Sequence, residues 1–262
     1  MGKKAQAKRE EANRRLVELV REQQSKLGLL IVFEGPEASG KTTQRKLFKT
    51  LLQSEGHDVV STSWNSSPLI NPLIQARKMA RSMSPEDYCL LHAADFRQRL
   101  ELKILPALWA GKTVLADRYL FTALARDAAR GLDLDWVLNV YSPLFWPDMV
   151  FYFEVSGETS ERRLAATKEP KFYEAGQDVT DIEDPLESFR TFIGRVIHEY
   201  EALSQIFQFV TVDAEKSIYA QHRAIRKLYL AAEKRSWEEC NVEALSDWLG
   251  PSLRAPEAHI AQ

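Results

Sequence analysis

Gly35-Pro36-Glu37-Ala38-Ser39-Gly40-Lys41-Thr42 decides the reading of this 262-residue chain, because a buried-type strand precedes it and a helix follows. Leu29-Leu30-Ile31-Val32-Phe33 is apolar without interruption, as a strand covered on both faces requires. Beyond the loop, Leu47, Phe48, Leu51 and Leu52 recur at helical spacing until Gly56 ends the helix. Glycines at both ends let backbone N–H groups turn inward around a phosphate chain. Lys41 adds a positive charge at the outer phosphates, and the Thr42 hydroxyl is suited to Mg²⁺. In this strand-to-helix setting the pattern predicts a nucleoside triphosphate site formed by Gly35, Glu37, Ala38, Ser39, Gly40, Lys41, Thr42 and Thr43.

Working outward, strand-like runs at 28–34, 57–63, 113–118, 149–155 and 207–213 alternate with helical stretches. That alternation predicts an α/β fold: five parallel strands between two layers of helices, joined by right-handed crossovers. About fifty residues separate the second and third runs, more than one crossover helix needs. Pro68, Pro72 and Ser84-Pro85 punctuate them before a helix expected over 85–110. Such an insertion beside the carboxyl ends of the strands is well placed for a second binding site. Thr113-Val114-Leu115-Ala116-Asp117-Arg118-Tyr119 ends a strand in adjacent charges at that same rim. Asp117 is a candidate to hold Mg²⁺ or to position the acceptor's donors. Arg118 presents a planar fork suited to a second phosphate.

Composition narrows the classes. The chain is 45% hydrophobic, enough for one domain of about 200 residues, and its net charge of −2 argues against duplex nucleic acid as a partner. The longest apolar runs are strand-sized, so no membrane span is expected. Two distant cysteines, Cys89 and Cys240, suit a reducing, cytoplasmic setting and lack metal-ligand spacing. Residues 1–27 hold eight Lys/Arg against four Glu and read as a charged helical extension. They carry no secretory signal, and Gln6 breaks the myristoylation pattern. The domain is expected over 28–235, with a polar tail over 236–262.

Ordered motifs extend the picture. Phe33-Glu34-Gly35-Pro36-Glu37 through Lys41-Thr42-Thr43-Gln44 comes first, then Leu91-His92-Ala93-Ala94-Asp95, Ile104-Leu105-Pro106-Ala107-Leu108 and Asp117-Arg118-Tyr119. Leu134-Asp135-Trp136 to Pro147-Asp148 and Val212-Asp213-Ala214 continue the series. Over roughly residues 28–232 the chain resembles the thymidylate kinases, as a divergent member. The resemblance implies a P-loop NTPase three-layer sandwich with a mobile lid, here about 157–183. It also implies ATP as phosphoryl donor with Mg²⁺, a small nucleotide acceptor and a possible homodimer. It implies donor contacts over Gly35–Thr43 and near Ala214. Glu37 is expected to face the acceptor's sugar and phosphate, and Arg118 to grip that phosphate. The loop has no arginine, so the resemblance assigns the catalytic cation to the lid. Arg162 and Arg163 are the first candidates there, with Lys168 and Lys171 beside them.

At the base-reading positions the chain departs from the family. His92 stands where the family has a stacking phenylalanine, and Phe96 where it has a base-reading arginine; Arg97 follows one residue later. Arg126 replaces an aromatic residue near the sugar, and Ser63-Trp64-Asn65-Ser66-Ser67-Pro68 replaces the family's Arg-Glu-Pro-Gly. Lys171-Phe172-Tyr173-Glu174-Ala175-Gly176-Gln177-Asp178 extends the lid with an aromatic-acidic element. Candidate acceptor contacts are therefore Glu37, Trp64, Asn65, His92, Phe96, Arg97, Arg118 and Arg126. Two alternatives remain open from sequence: a nucleotide-binding switch that has lost its acceptor site, and a kinase for another small acceptor such as a nucleoside.

Overall fold

The computed structural model describes residues 28–232 apart from Pro143. The expected extension at 1–27 and the tail at 236–262 lie outside the described residues. Five parallel strands form one sheet in the order β2-β3-β1-β4-β5. They are β1 (Leu30–Glu34), β2 (Val59–Ser63), β3 (Thr113–Asp117), β4 (Met149–Glu154) and β5 (Val210–Asp213). Successive strand side chains point to opposite faces, and the core divides accordingly. Leu30, Val32, Val114, Ala116, Val150 and Tyr152 face one apolar cluster, while Ile31, Phe33, Leu115, Phe151, Phe153 and Val212 face another. Burial on both faces explains the unbroken apolar runs.

The second cluster is closed by α1 (Lys41–Ser54), through Phe48 and Leu52, and by the last described helix at Ile218–Ala232, through Ile225 and Tyr229. The first is closed by helices of the long crossover between β2 and β3 and of the segments after β3 and β4. After α2 (Asn71–Met79) come α3 (Pro85–Arg99), a π turn at Leu100–Ile104, and α4 (Leu105–Trp109). Then follow α5 (Leu120–Ala128) and α6 (Leu134–Tyr141). The segment expected as a lid carries α7 (Gly157–Ala165) and α8 (Phe172–Ala175), and α9 (Pro185–Ile206) follows; the last described helix, Ile218–Ala232, is α10. The single helix expected over 85–110 is thus interrupted by a π turn. Pro106 lacks an N–H and its ring crowds the carbonyl four residues back, so a wider turn lets the helix continue past it. Its start is sharply set: Ser84 Oγ accepts from Asp87 N at 3.2 Å, and Pro85 takes the first helical position.

The second half of that segment is held by buried contacts. Arg130 forms a buried ion pair with Asp178 at 2.8 Å, and its guanidinium also donates to the Tyr173 carbonyl at 2.8 Å. Tyr173 in turn reaches the segment before α3: Met83 N donates to its hydroxyl at 2.8 Å. Gly176 makes the close approach possible, since a Cβ there would lie 2.3 Å from the Phe192 ring.

Candidate functional site

The loop between β1 and α1 wraps a concavity at the carboxyl rim of the sheet. Gly40 caps α1 at φ +87°, a left-handed conformation that glycine adopts without steric cost. A Cβ on Gly35 would meet the Phe153 carbonyl at 2.8 Å, so the loop also needs glycine to pass β4. One cavity of about 390 Å³ is lined by Glu37, Ala38, Gly40, Lys41, Thr42 and Thr43 of the loop, with Arg163, Lys168 and Glu174 of the lid. It continues past Ala38, Gly40 and Thr43 into a groove bounded by Arg163 and Glu215–Ile218. Ser39 is fully buried, and among the described residues its Oγ has no hydrogen-bond partner.

Lys41 Nζ donates to the Pro36 carbonyl at 2.8 Å, turned back onto its own loop. Burial, reinforced by the Arg118 charge, lowers its pKa to about 8. Thr42 Oγ1 donates to Asp117 Oδ2 at 2.6 Å, and Arg45 Nε lies 3.5 Å from the same oxygen. Two hard oxygens at the mouth of the glycine-framed loop fit Mg²⁺, which takes one or two protein oxygens and leaves its remaining positions to water and phosphate. Among the described residues no cluster of three or more His, Cys, Asp or Glu offers an all-protein cage.

Arg118, next in sequence to Asp117, faces a different cavity. This one measures about 440 Å³ and is lined by Glu37, Trp64, Asn65, Arg118, Thr122 and Arg126, together with residues of α2, α3 and the lid. Arg118 holds φ +69°, a strained value for a non-glycine residue. Its NH2 pairs with Glu37 Oε1 at 2.8 Å, and its NH1 donates to the Gly35 carbonyl at 3.2 Å and to Thr122 Oγ1 at 3.3 Å. Arg126 stands 3.6 Å from the same Glu37 oxygen. Burial opposes the Glu37 charge, but Arg118, Lys41 and Arg126 outweigh it and hold the carboxyl well below the usual range. Beneath them Glu34 is fully buried. Thr122 and Tyr200 hydroxyls and the Tyr119 and Thr122 amides donate to it, fixing the start of α5 under the cavity. The two cavities share Glu37 and Glu174 as a common wall.

The remaining sequence candidates divide. Arg163 lines the loop cavity and donates to the Ala214 carbonyl at 2.9 Å, while exposed Arg162 lines neither cavity and bonds Thr159 Oγ1. Ala214 itself is buried; its neighbours Glu215–Ile218 form the groove. Lys168 is tied to Glu174 at 2.7 Å beside the loop, and Lys171 lines the Arg118 cavity. His92, Phe96 and Arg97 do not line that cavity. His92 is buried under the Tyr88 ring, with ring centres 3.9 Å apart. Phe96 packs into the core on Tyr119 and Tyr141, and Arg97 turns outward to the Ser142 carbonyl and Glu101. Their places are taken by Lys78 of α2, Tyr88 of α3, and Phe172 and Tyr173 of the lid, which local pattern did not single out for this cavity. The aromatic-acidic run at 171–178 was the one visible signal for the lid pair.

Comparison with known proteins agrees with this architecture. The family model described as Thymidylate kinase matches residues 33–225. The chain is 38% identical over 204 residues to a probable thymidylate kinase 2 of Saccharolobus solfataricus, covering 77% of this chain and 95% of that protein. It is 37% identical over 143 residues to a probable thymidylate kinase of Pyrococcus horikoshii, covering 52% and 70%. It is 33% identical over 205 residues to a thymidylate kinase of Halothermothrix orenii, covering 76% and 94%. With a matched family model over most of its length and relatives aligned nearly end to end, the chain belongs to the thymidylate kinase family.

Proposed function

We propose that this protein transfers the γ-phosphoryl group of ATP to a nucleoside monophosphate, with thymidylate the foremost acceptor, releasing ADP and the acceptor's diphosphate. One observation carries the reading: Lys41 and Arg118 line adjoining cavities whose common wall is Glu37 and Glu174. An oxygen of the acceptor phosphate attacks phosphorus, the bond to the β-phosphate oxygen breaks, and the electron pair leaves on ADP. That nucleophile is already ionised, so the chain needs alignment and positive charge rather than a general base. The loop amides and Lys41 hold the donor, Arg118 holds the acceptor phosphate, and the free oxygen of Glu37 accepts from the acceptor's sugar. Arg163 and Lys168 bring the lid's cations to the transferring group, with Arg163 in the catalytic role and Arg162 outside it. Mg²⁺, held through Thr42 and Asp117, neutralises phosphate charge when bound.

A switch without an acceptor site is disfavoured by the family match and by a cavity of about 440 Å³ furnished with Arg118. A homodimer and a cytoplasmic setting belong to the same proposal; among the described residues no helix is long and apolar enough to cross a membrane. Incubation with ATP, Mg²⁺ and a panel of monophosphates tests the reaction: diphosphate is expected from thymidylate, and its absence from every acceptor overturns the assignment.

The lowered pKa of Lys41 makes a separate prediction. In the unfolded chain this amine titrates near 10.5 and in the free protein at about 8, so between these values the native state has given up a proton that the unfolded state keeps. For this group native stability therefore rises with pH across that window. Phosphates beside Lys41 restore the proton, so ATP affinity falls as pH climbs above about 8. Calorimetry at pH 8.5 in buffers of different ionisation enthalpy should reveal proton uptake on ATP binding, and Lys41→Met should lack it. Buffer-independent heats in the wild type contradict the prediction.

A further inference from the structure

The cavity around Arg118 contains a second polar cluster that phosphate chemistry does not use. Lys78 from α2 and Asn65 from the turn after β2 both line it, beside Trp64 and Tyr88. Lys78 Nζ lies 3.3 Å from His92 Nε2 and 5.1 Å from the centre of the Tyr88 ring. The tautomer of His92 follows from its other contact. His92 Nδ1 is 2.7 Å from the Tyr88 carbonyl, which can only accept, so Nδ1 carries the hydrogen and Nε2 offers its lone pair to the ammonium. Burial, reinforced by the Lys78 charge, keeps the ring from taking a second proton. The histidine thus orients the lysine, and that contact uses one of three ammonium hydrogens. Asn65 stands at φ +54°, and among the described residues its buried Oδ1 has no hydrogen-bond partner.

We propose that Lys78, oriented by His92, reads a carbonyl oxygen on the acceptor base while Asn65 bonds the adjacent ring N–H, so that the pocket selects thymine, uracil or guanine over cytosine and adenine. The inference rests on taking this cavity as the acceptor site. The Asn65 amide can present either edge, so the discrimination falls to Lys78, whose ammonium only donates. Cytosine and adenine set an exocyclic amine at that place, opposing donor to donor and leaving a buried polar group unpaired. The reader of the base therefore comes from α2, while α3 supplies the histidine that positions it.

The experiment measures kcat and KM for thymidylate, uridylate, deoxyguanylate, deoxycytidylate and deoxyadenylate at saturating ATP. The wild type should favour the three oxo-bearing acceptors by about tenfold or more in kcat/KM. Lys78→Met should cost those three about tenfold to hundredfold, chiefly in KM, and leave the amino-bearing pair equal or improved, because the opposing donor is gone. His92→Leu should erase the preference, whereas His92→Gln, which keeps an acceptor for Lys78, should retain it. Equal losses for all five acceptors in Lys78→Met would make the lysine a phosphate contact and overturn the proposal, as would no loss at all. Should no acceptor yield diphosphate, the kinase reading fails by itself. Thermal stabilisation by thymidylate against deoxycytidylate then decides base selection, and equal stabilisation overturns it.

Discussion

Lys41→Ala is expected to lower phosphoryl transfer about a thousandfold while leaving the fold in place. The reason is electrostatic. Lys41 is desolvated among Arg118, Glu37 and Asp117, and it turns back to the Pro36 carbonyl. A charge held in low dielectric and close to the transferring group acts far more strongly on the transition state than the same charge in water. Its loss costs the native state little, because burial already disfavours the ammonium. Single-turnover transfer and a thermal melt measure the two halves of the expectation. Turnover within about tenfold of wild type would place the donor phosphates elsewhere.

The second large effect concerns the opposite side of Glu37. Arg118→Ala should raise the acceptor KM about a hundredfold while ATP affinity changes little, since truncating a buried charge partner costs roughly 2–5 kcal/mol. Arg118→Lys should recover only part of that loss, because an ammonium cannot reproduce the guanidinium fork that spans Glu37, Gly35 and Thr122. The backbone at φ +69° complicates neither comparison, for both variants keep a Cβ there. Arg118→Gly serves as the control: it relieves the strain yet should bind acceptor as poorly as Arg118→Ala. A parallel loss of ATP binding in all three variants would remove the division between the two cavities.

What sequence reading reached is visible residue by residue. The strand limits shift by at most three residues, and all five runs become parallel strands of one sheet. The expected long helix is present but passes Pro106 through a π turn, which needs a packed neighbour environment to be tolerated and leaves no distinct sequence mark. The glycine-framed loop and Asp117-Arg118 were legible as neighbours at one rim because both are contiguous motifs at the ends of adjacent strands. The rest of the lining of the Arg118 cavity was not. Tyr88, His92 and Phe96 lie four residues apart on one stripe of α3, so nothing in their spacing tells which reaches the cavity. The stripe runs from the cavity at Tyr88 into the core at Phe96, and Trp64 packs near both His92 and Phe96.

By itself, then, the chain's order of residues determined what short-range rules govern: alternation of strand and helix, the glycine-framed loop, and two opposite charges at a strand end. Each is read from neighbours within a turn or two, where backbone geometry leaves little choice. Only the tertiary structure decided that Asp117 bonds Thr42 while adjacent Arg118 lines the cavity beside Trp64, that the segment around Tyr173 and Asp178 is anchored through Arg130, and that Lys78 rather than Arg97 lines the Arg118 cavity. Those outcomes depend on how helices distant in sequence rotate to bury their apolar stripes, and that rotation is set by packing against the sheet rather than by any local pattern.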